Sequence, residues 1–330
     1  MIVSEKIQQD IQRETHAQSA MKPQFISVVA YVHNDREKVE AFIDVVVNRC
    51  RETFKYCELI FVDDHSLDDS VQVIKGYFKR NPTDYIVSII RLGHYHGMET
   101  AMNAGRDMAI GDYVYEFDDL YVDFSADVVV EAYEKCLEGN DVVVASTDVP
   151  MRATSKLFYN LFNKVTTSFT QIGQESFRLI SRRGINRITS MDAHIPYRKV
   201  IYLNCGLACT QIKYKSTTGT RPPRIAQKSE RIDLAFESFV YFTDLIERIS
   251  LGLSIGFACL SVATVMYAVI SGCMGWTENN WMITVMLLSI GMTGLFGMMT
   301  IIIKYLAILL DLLFKRQEYL ITDVDKISSK

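Results

Sequence analysis

The sequence has no excess of positive charge and no clustered cysteines. Its formal net charge is −4 at pH 7, whereas proteins that bind nucleic acid are usually basic, so nucleic acid is not expected as a partner. The seven cysteines include no CxxC pair and no Cys/His cluster at zinc spacing. This excludes a zinc finger and is typical of a reducing compartment. Residues 1–23 are polar and lack the apolar core of a signal peptide, so we expect a polar N-terminal extension.

Three motifs that mark common enzyme classes are also missing. The sequence has no GxxxxGK[ST] loop, no GxGxxG turn after the first apolar segment and no HExxH helix. The chain is therefore not expected to be a P-loop nucleotidase, a dinucleotide-dependent dehydrogenase or a zinc metalloprotease.

Long charge-free runs are found only near the C-terminal end. Residues 249–270 and 281–303 are each about 22 apolar or uncharged residues, enough to cross ~30 Å of hydrocarbon as a helix. The loop between them has no Lys or Arg, whereas Arg248 and Lys304 flank the pair on the other side. The positive-inside rule then predicts a transmembrane hairpin over 249–310 with both chain ends in the cytoplasm. The alternative is a helical hairpin buried in a soluble core.

The segments on either side of this hairpin are less apolar. Residues 230–248 carry apolar residues at helical spacing and charges on another side, which predicts an amphipathic juxtamembrane helix. A helix packed on the catalytic domain or on another subunit is the alternative. Residues 311–330 form a polar cytoplasmic tail in which a short strand is expected.

Strand-like and helix-like segments alternate from residue 25 to residue 146. The predicted strands are 25–32, 58–64, 85–92, 113–119 and 141–146, and the predicted helices are 35–53, 67–80, 97–109 and 126–138. This alternation predicts an α/β fold, a Rossmann-like and mostly parallel sheet with helices on both faces. Ligands of such sheets bind beyond the carboxyl ends of the strands.

Pairs of acidic residues lie at two of these strand ends. Asp63 and Asp64 end the second strand, and Asp118 and Asp119 end the fourth. Because unpaired buried carboxylates are costly, such pairs favour metal coordination or hydrogen bonds to sugar hydroxyls. The alternative is that each pair caps the helix that follows.

Six local patterns occur in a fixed order along the chain. They are SVVAYVHND at 27–35, FVDDHSLDDS at 61–70, RLGHYHGMETAMNAG at 91–105, GDYVYEFDDL at 111–120, ESFRLISRR at 175–183 and RPPRIAQKSER at 221–231. Followed by the two apolar runs, they resemble the family-2 inverting glycosyltransferases of the GT-A fold. More narrowly, they are similar to the dolichyl- or undecaprenyl-phosphate branch. The resemblance covers about residues 24–330 and implies a GT-A catalytic domain over 24–229.

The resemblance implies an activity and its partners. The expected reaction is inverting transfer of a hexose from a UDP- or GDP-sugar to a polyprenyl phosphate lipid, in the assembly of cell-envelope polysaccharide. The expected setting is the cytoplasmic face of a bacterial inner membrane, in which the protein is integral and a homo-oligomer.

The resemblance also assigns site residues. Those for donor binding lie at or just beyond the ends of strands, or open the helix that follows: Tyr31, Asn34, Asp35, Asp63, Asp64, Ser66, Gly97 and Asp118. Those for catalysis are Asp118, Asp119 and Arg178, and those for the acceptor phosphate are Arg178, Arg221, Arg224 and Lys228.

A divalent ion, Mg²⁺ or Mn²⁺, is expected on Asp118, since hard cations favour oxygen ligands. Leu120 stands where the family has the second Asp of its DxD motif, so Glu116 or Asp123 is the candidate for a second ligand. This departure motivates one alternative, a catalytically degenerate relative that binds nucleotide or serves as a scaffold. The other alternative, a processive polysaccharide synthase, is disfavoured because both tryptophans lie in the predicted hairpin, leaving no QxxRW motif in the soluble part.

Overall fold

The computed structural model describes residues 21–149, 175–190, 198–204, 206–219, 280–314 and 319–327, with single positions between 252 and 274. The chain divides into two compact units. The first comprises Met1–Tyr159, Ser168–Glu230 and Gln317–Lys330, and the second Asn160–Thr167 and Arg231–Arg316.

The first unit is an α/β structure. Its strands are β1 (Lys22–Val32), β2 (Phe54–Asp63), β3 (Ile86–Leu92), β4 (Tyr113–Phe117), β5 (Val142–Thr147), β6 (Phe177–Ser181), β7 (Cys209–Tyr214) and β8 (Ile321–Ile327). Its helices are α1 (Arg36–Phe42), α2 (Asn48–Thr53), α3 (Ser70–Arg80), α4 (Met98–Met108), α5 (Asp127–Leu137), α6 (Arg182–Ser190) and α7 (Arg198–Asn204), with a π-helical segment at Ile43–Val47 between α1 and α2.

The described strands form one mixed sheet in the order β7-β5-β6-β4-β1-β2-β3-β8. Strands β4, β1, β2 and β3 are parallel neighbours, so their carboxyl ends meet at one edge of the sheet. Strand β6 runs antiparallel to β4 and β5, and β8 runs antiparallel to β3. This architecture confirms the predicted Rossmann-like α/β class with a largely parallel centre.

Strand β1 lies at the centre of two hydrophobic cores. Ile26 and Val28 face a core built with α1, α3 and α5. Val29 and Tyr31 face a second core built with α4, α6 and α7. Because successive side chains of a strand point to opposite faces, one continuous apolar run serves both cores. Full burial of one such aliphatic side chain stabilises the folded state by about 1.5–3 kcal/mol relative to leaving it exposed.

The predicted elements between residues 25 and 146 are present, with shifted ends. Strand β1 begins at Lys22 and β2 at Phe54, because these two residues pair with each other across the sheet. Strands β6 and β7 were not predicted. The strand expected in the tail is confirmed as β8, which pairs with β3 from Val87↔Ile327 onward.

In the second unit, helix α8 spans Asn280–Phe314 and contains the second apolar run. Among the residues that the structure describes, no membrane span was identified. The amphipathic segment 230–248 lies outside the described residues, as does most of 249–270. The transmembrane hairpin therefore stays a prediction.

Candidate active site

Asp64 joins the end of β1 to the loop after β3 at the carboxyl edge of the sheet. Its side chain is fully buried directly after β2. Oδ2 accepts hydrogen bonds from the Tyr31 hydroxyl at 3.1 Å and the Gly97 amide at 2.9 Å, and Oδ1 accepts one from the His96 amide at 2.8 Å. Charge-assisted bonds of this kind are about twice as strong as neutral ones. Asp64 therefore fixes the loop after β3 against the ends of β1 and β2.

The loops after β1 and β2 interlock through Asn34. The backbone amide of Asn34 donates to Ser66 Oγ at 3.1 Å, and its side-chain Oδ1 accepts from the backbone amide of Leu67 at 2.8 Å. Asn34 has a φ of 53° and His65 a φ of 57°, the left-handed region that non-glycine residues rarely adopt. The left-handed conformation of His65 is one that glycine adopts without steric cost.

Two further predicted donor residues flank this interlock. Asp35 accepts from Lys38 Nζ at 2.7 Å, and the same Nζ lies 3.4 Å from Asp119 Oδ1 beyond β4. Asp63 is buried, and its Oδ1 accepts from the Ser66 amide at 3.2 Å. Burial raises the pKa of Asp63, although the bonds from Ser66 oppose this rise. These contacts join the ends of β1, β2 and β4 into one site.

Asp118 lies between two arginines. Arg178 Nη2 donates to its Oδ2 at 2.6 Å, and Arg198 Nη2 donates to its Oδ1 at 2.7 Å. Burial opposes ionisation of this carboxyl, but the two guanidinium groups hold its pKa well below the usual range. The Asp118 side chain keeps 25% of its surface exposed, so it is an ionised group that a ligand can reach.

Strand pairing places Arg178 beside the acids of β4. Arg178 of β6 is the register partner of Glu116, which shares a strand face with Asp118 because it lies two positions earlier. Glu116 is fully buried. Its Oε2 accepts from Arg178 Nη1 at 3.1 Å and Arg198 Nη1 at 2.7 Å, and its Oε1 accepts from the Tyr202 hydroxyl at 2.7 Å. Burial and Glu116 raise the pKa of Tyr202 to about 12, so this hydroxyl stays a donor.

The remaining guanidinium and ammonium donors of the cluster meet two more acids. Arg198 Nε donates to Glu99 at 2.8 Å, Arg178 Nε donates to Glu175 at 3.1 Å, and Lys199 Nζ lies 3.3 Å from Glu175. Burial raises the pKa of Glu99, an effect that Arg198 opposes. We call these seven charged residues with Tyr202 the arginine–carboxylate cluster. Such a buried network is stable only when nearly every member is paired, and here each charged residue has a partner of opposite sign.

Residues 27–194 match the family model described as Glycosyl transferase family 2, about half of the chain. The chain belongs to glycosyl transferase family 2. The match starts within β1 and ends just beyond α6, so it includes the interlocked loops and most of the arginine–carboxylate cluster.

Several known proteins are similar to this family 2 chain. It is 33% identical over 172 residues to a bactoprenol glucosyl transferase of Shigella phage SfV, covering 49% of this chain and 54% of that protein. It is 32% identical over 93 residues to an undecaprenyl-phosphate 4-deoxy-4-formamido-L-arabinose transferase of Pectobacterium carotovorum, covering 28% of each. The chain thus spans about half the length of the phage relative.

Among solved structures, the fold is similar to that of a mannosyltransferase from Pyrobaculum calidifontis in complex with GDP-Man and Mn²⁺. The TM-score is 0.51 at 12% identity, covering 84% of this chain and 88% of that one. At this identity the likeness concerns the fold, and it supports the predicted GT-A-like sheet.

The predicted metal ligands are Asp118, Glu116 and Asp123. Among the described residues, no group of three or more His, Cys, Asp or Glu side chains is arranged to hold one. The carboxylates of Asp118 and Glu116 are bound by arginines, whereas Asp123 differs. Its Oδ1 accepts from the Tyr214 hydroxyl at 2.6 Å, and its Oδ2 is buried without a partner. The described residues do not by themselves fit a metal ion, and Mg²⁺ or Mn²⁺ on Asp118 stays a prediction.

The predicted acceptor and catalytic residues are only partly described. Arg178 is 2% exposed and donates to three carboxylates, so its contact with a lipid phosphate stays a prediction. Arg221, Arg224 and Lys228 lie outside the described residues. Asp119 accepts from the Tyr121 amide at 3.0 Å, which holds it at the end of β4.

Sequence reasoning missed Arg198, Glu99 and Tyr202. Nothing near Arg198 in the sequence marks it, because its partners Glu99, Glu116 and Asp118 are 80 or more positions away. Glu99 lies in the first turn of α4, where the helix dipole favours a carboxylate whatever its function, so its position in the sequence does not mark it as a site residue. Tyr202 follows Arg198 by four positions, which places both on one helix face.

Proposed function

We propose that this protein transfers a sugar from a nucleotide-sugar donor to a polyprenyl phosphate at the cytoplasmic face of a membrane, with inversion at the anomeric carbon. The observation that carries the proposal is the arginine–carboxylate cluster, which lies at the end of β4 in a family 2 glycosyltransferase domain. Lipid transfer is supported by the bactoprenol and undecaprenyl-phosphate names of two relatives.

The donor is expected over the interlocked loops after β1, β2 and β3. Asp35 and Asp63 supply carboxylates at this edge that can accept hydrogen bonds from a base or a ribose. The rings of His33 and Tyr95 lie 4.7 Å apart beside them and offer an aromatic surface for a nucleobase. These features favour a nucleotide donor without selecting uridine or guanosine.

The proposed reaction does not depend on a strong general base. An oxygen of the lipid phosphate attacks the anomeric carbon, the bond from that carbon to the donor diphosphate breaks, and a nucleoside diphosphate leaves. Because the lipid phosphate is already ionised near neutral pH, no strong base is required. The site must instead orient the reactants and stabilise the negative charge of the leaving diphosphate. Asp118 is held rigid and ionised by Arg178 and Arg198, so it can accept hydrogen bonds from hydroxyl groups of the donor sugar.

The acceptor also explains the apolar runs. A polyprenyl phosphate keeps its chain in the bilayer and its phosphate at the headgroup level, so its enzyme must work at the membrane surface. We therefore propose an integral protein of a bacterial inner membrane, with the catalytic domain and both ends in the cytoplasm.

The experiment is product formation by the full chain purified in detergent. Undecaprenyl and dolichyl phosphate are offered with UDP- and GDP-sugars, in Mg²⁺, Mn²⁺ or EDTA. We expect one donor to give a glycolipid, and Asp118→Asn to abolish it while the protein stays folded. Asp127→Asn is the matched control, because this acid is exposed on α5 and pairs only with Arg49 among the described contacts.

Each outcome has a distinct meaning. Loss of product in EDTA would support a metal on Asp118, whereas transfer that EDTA leaves intact would remove the metal and keep the function. Normal turnover by a folded Asp118→Asn protein would contradict the role of Asp118.

One alternative has an observation in its favour. The arginines neutralise Asp118, and Leu120 replaces the second acid of the motif, as expected for a relative that binds nucleotide without transferring sugar. UDP or GDP binding without product from any donor would favour this alternative.

A further inference from the structure

The tail strand β8 continues its ladder into the loop that follows β3. Beyond the last strand pair, the Gly93 amide donates to the Leu320 carbonyl at 3.0 Å. The Leu320 amide in turn donates to His96 Nε2 at 3.1 Å. The tail therefore contacts the same loop that Asp64 holds from the other side.

The geometry defines which nitrogen of His96 carries the proton. Nδ1 lies 2.6 Å from the carbonyl oxygen of His94, so Nδ1 is the donor and Nε2 is left as the acceptor for the tail. The His96 ring also stacks on His94 with centroids 3.8 Å apart, and its side chain is 8% exposed. The ring is thus fixed in one orientation.

The backbone of the same residue leads to the site. The amides of His96 and Gly97 both donate to the carboxylate of Asp64. A continuous path of hydrogen bonds therefore runs from the Leu320 amide through His96 to Asp64, which the proposed function places beneath the donor.

The tail is anchored independently of this path. Asp325 accepts from Arg91 at 2.6 Å and Lys75 at 2.7 Å, and the Tyr319 hydroxyl donates to Asp107 at 3.0 Å. Gly93 faces the tail so closely that an added Cβ would lie 2.9 Å from Thr322 Oγ1. These contacts let the tail hold the loop rather than only follow it.

We propose that the tail supports the donor site through the Leu320 amide, which acts through His96, a positioning residue that holds the 93–97 loop on Asp64. The consequence is that residues remote from the GT-A domain in sequence set the affinity for the nucleotide donor. The inference rests on the proposed function, because it takes these loops to be the donor site.

The test compares variants at the two ends of the Leu320–His96 bond. His96→Ala removes the acceptor, whereas in His96→Gln the amide oxygen can replace Nε2. Leu320→Pro removes the donor N–H and leaves the carbonyl that Gly93 uses. Tyr319→Phe is the matched control, because it removes the neighbouring bond to Asp107 and keeps the Leu320 amide.

The measurements are the Kd of UDP and GDP for the full chain in detergent, the KM values of donor and lipid, and amide hydrogen exchange of residues 93–97. We expect His96→Ala and Leu320→Pro each to weaken nucleotide binding about tenfold and raise the donor KM, with kcat and the lipid KM little changed. His96→Gln and Tyr319→Phe should stay within about twofold. The double variant His96→Ala/Leu320→Pro should be no weaker than either single one, since both remove one interaction.

Equal losses in His96→Ala and His96→Gln would overturn the acceptor role, and normal binding by Leu320→Pro would overturn the role of the tail. If the wild-type protein binds neither nucleotide, the proposed function fails. Hydrogen exchange still decides the inference in that case: faster exchange of 93–97 in Leu320→Pro than in Tyr319→Phe supports the hold of the tail on the loop, and equal exchange overturns it.

Discussion

At the scale of single residues, Arg198 is one of two arginines that each donate to three carboxylates of the cluster. Its Nε, Nη1 and Nη2 reach Glu99, Glu116 and Asp118 at 2.7–2.8 Å. Lysine has one compact ammonium group and cannot reproduce this planar set of donors. The residue therefore links helix α4 to the end of β4 through geometry as well as charge.

We expect Arg198→Lys to abolish transfer and to destabilise the fold, because one ammonium group cannot pair all three carboxylates, and a buried charge left unpaired costs about 3–5 kcal/mol. Glycolipid formation and thermal unfolding measure the two effects. Arg183→Lys is the control, since that exposed arginine binds Asp141 and should change both quantities little. An Arg198→Lys protein with normal melting and turnover would contradict the cluster as drawn.

The lowered pKa of Asp118 means that ionisation of this carboxyl stabilises the folded protein. Its folded pKa lies below the unfolded value of about 3.9, because Arg178 and Arg198 outweigh the effect of burial. The stabilisation is therefore fully present above the unfolded pKa and is lost as pH falls through the folded pKa. In urea unfolding from pH 7 to pH 3, the stability advantage of wild type over Asp118→Asn should be constant down to about pH 5 and then shrink. An advantage that grows on acidification would contradict this assignment.

Whether the sequence predicts a site residue depends on how far along the chain the partners of that residue lie. Asp63, Asp64 and Asp118 were found because a strand ending in acids is a local pattern. Arg178 came from the resemblance, and its partner in the sheet followed only from the register of β6 on β4. Arg198 could not be found, since an arginine that closes a distant cluster looks the same in sequence as one in solvent.

At the scale of elements, α4 packs unusually close to the sheet. A Cβ on Gly105 would lie 2.4 Å from Val29 Cγ1 and 2.6 Å from Val62 Cγ2. Both neighbours are fully buried β-branched side chains with few alternative rotamers. The glycine therefore lets α4 approach β1 and β2. The Gly97 turn, at which this helix begins, is brought close to the two strands with it.

Gly105→Ala should lower the free energy of unfolding by about 1–3 kcal/mol through overpacking. Gly76→Ala, in α3, is the matched substitution, because nothing lies within 4 Å of its added Cβ and alanine is the better helix former by up to about 1 kcal/mol. Urea unfolding of both variants measures the difference. Opposite signs are expected, and destabilisation by Gly76→Ala as large as that by Gly105→Ala would contradict this packing.

The elements that the sequence predicted are those with strong local periodicity. Strands β1 to β5 and the helices between them alternate in apolar and amphipathic pattern, so their existence followed, although β2 begins four residues earlier than expected. Strand β6 has only five residues, and β7 alternates weakly between buried and exposed positions. Pairing with β4 and β5 makes them strands, which a local pattern does not reveal.

At the scale of the whole molecule, the sequence predicts attachment to a membrane, which the described residues do not test. The two apolar runs and the proposed polyprenyl acceptor both require a membrane, since the lipid cannot leave the bilayer. We expect the expressed chain to sediment with membranes, to resist extraction by alkaline carbonate and to require detergent for solution. Release by carbonate would contradict an integral protein and weaken the proposed acceptor.

The position of β8 in the chain has a consequence for biosynthesis. Arg91 and Asp325 are paired although they are 234 positions apart. At a translation rate of about 5–20 residues per second, the ribosome needs roughly 10–50 s to make the second partner after the first. During that interval β3 is a bare edge strand beside an unfinished loop, and such edges invite pairing with other chains. The nascent protein is therefore exposed to misassembly at this edge of the sheet until β8 has been made.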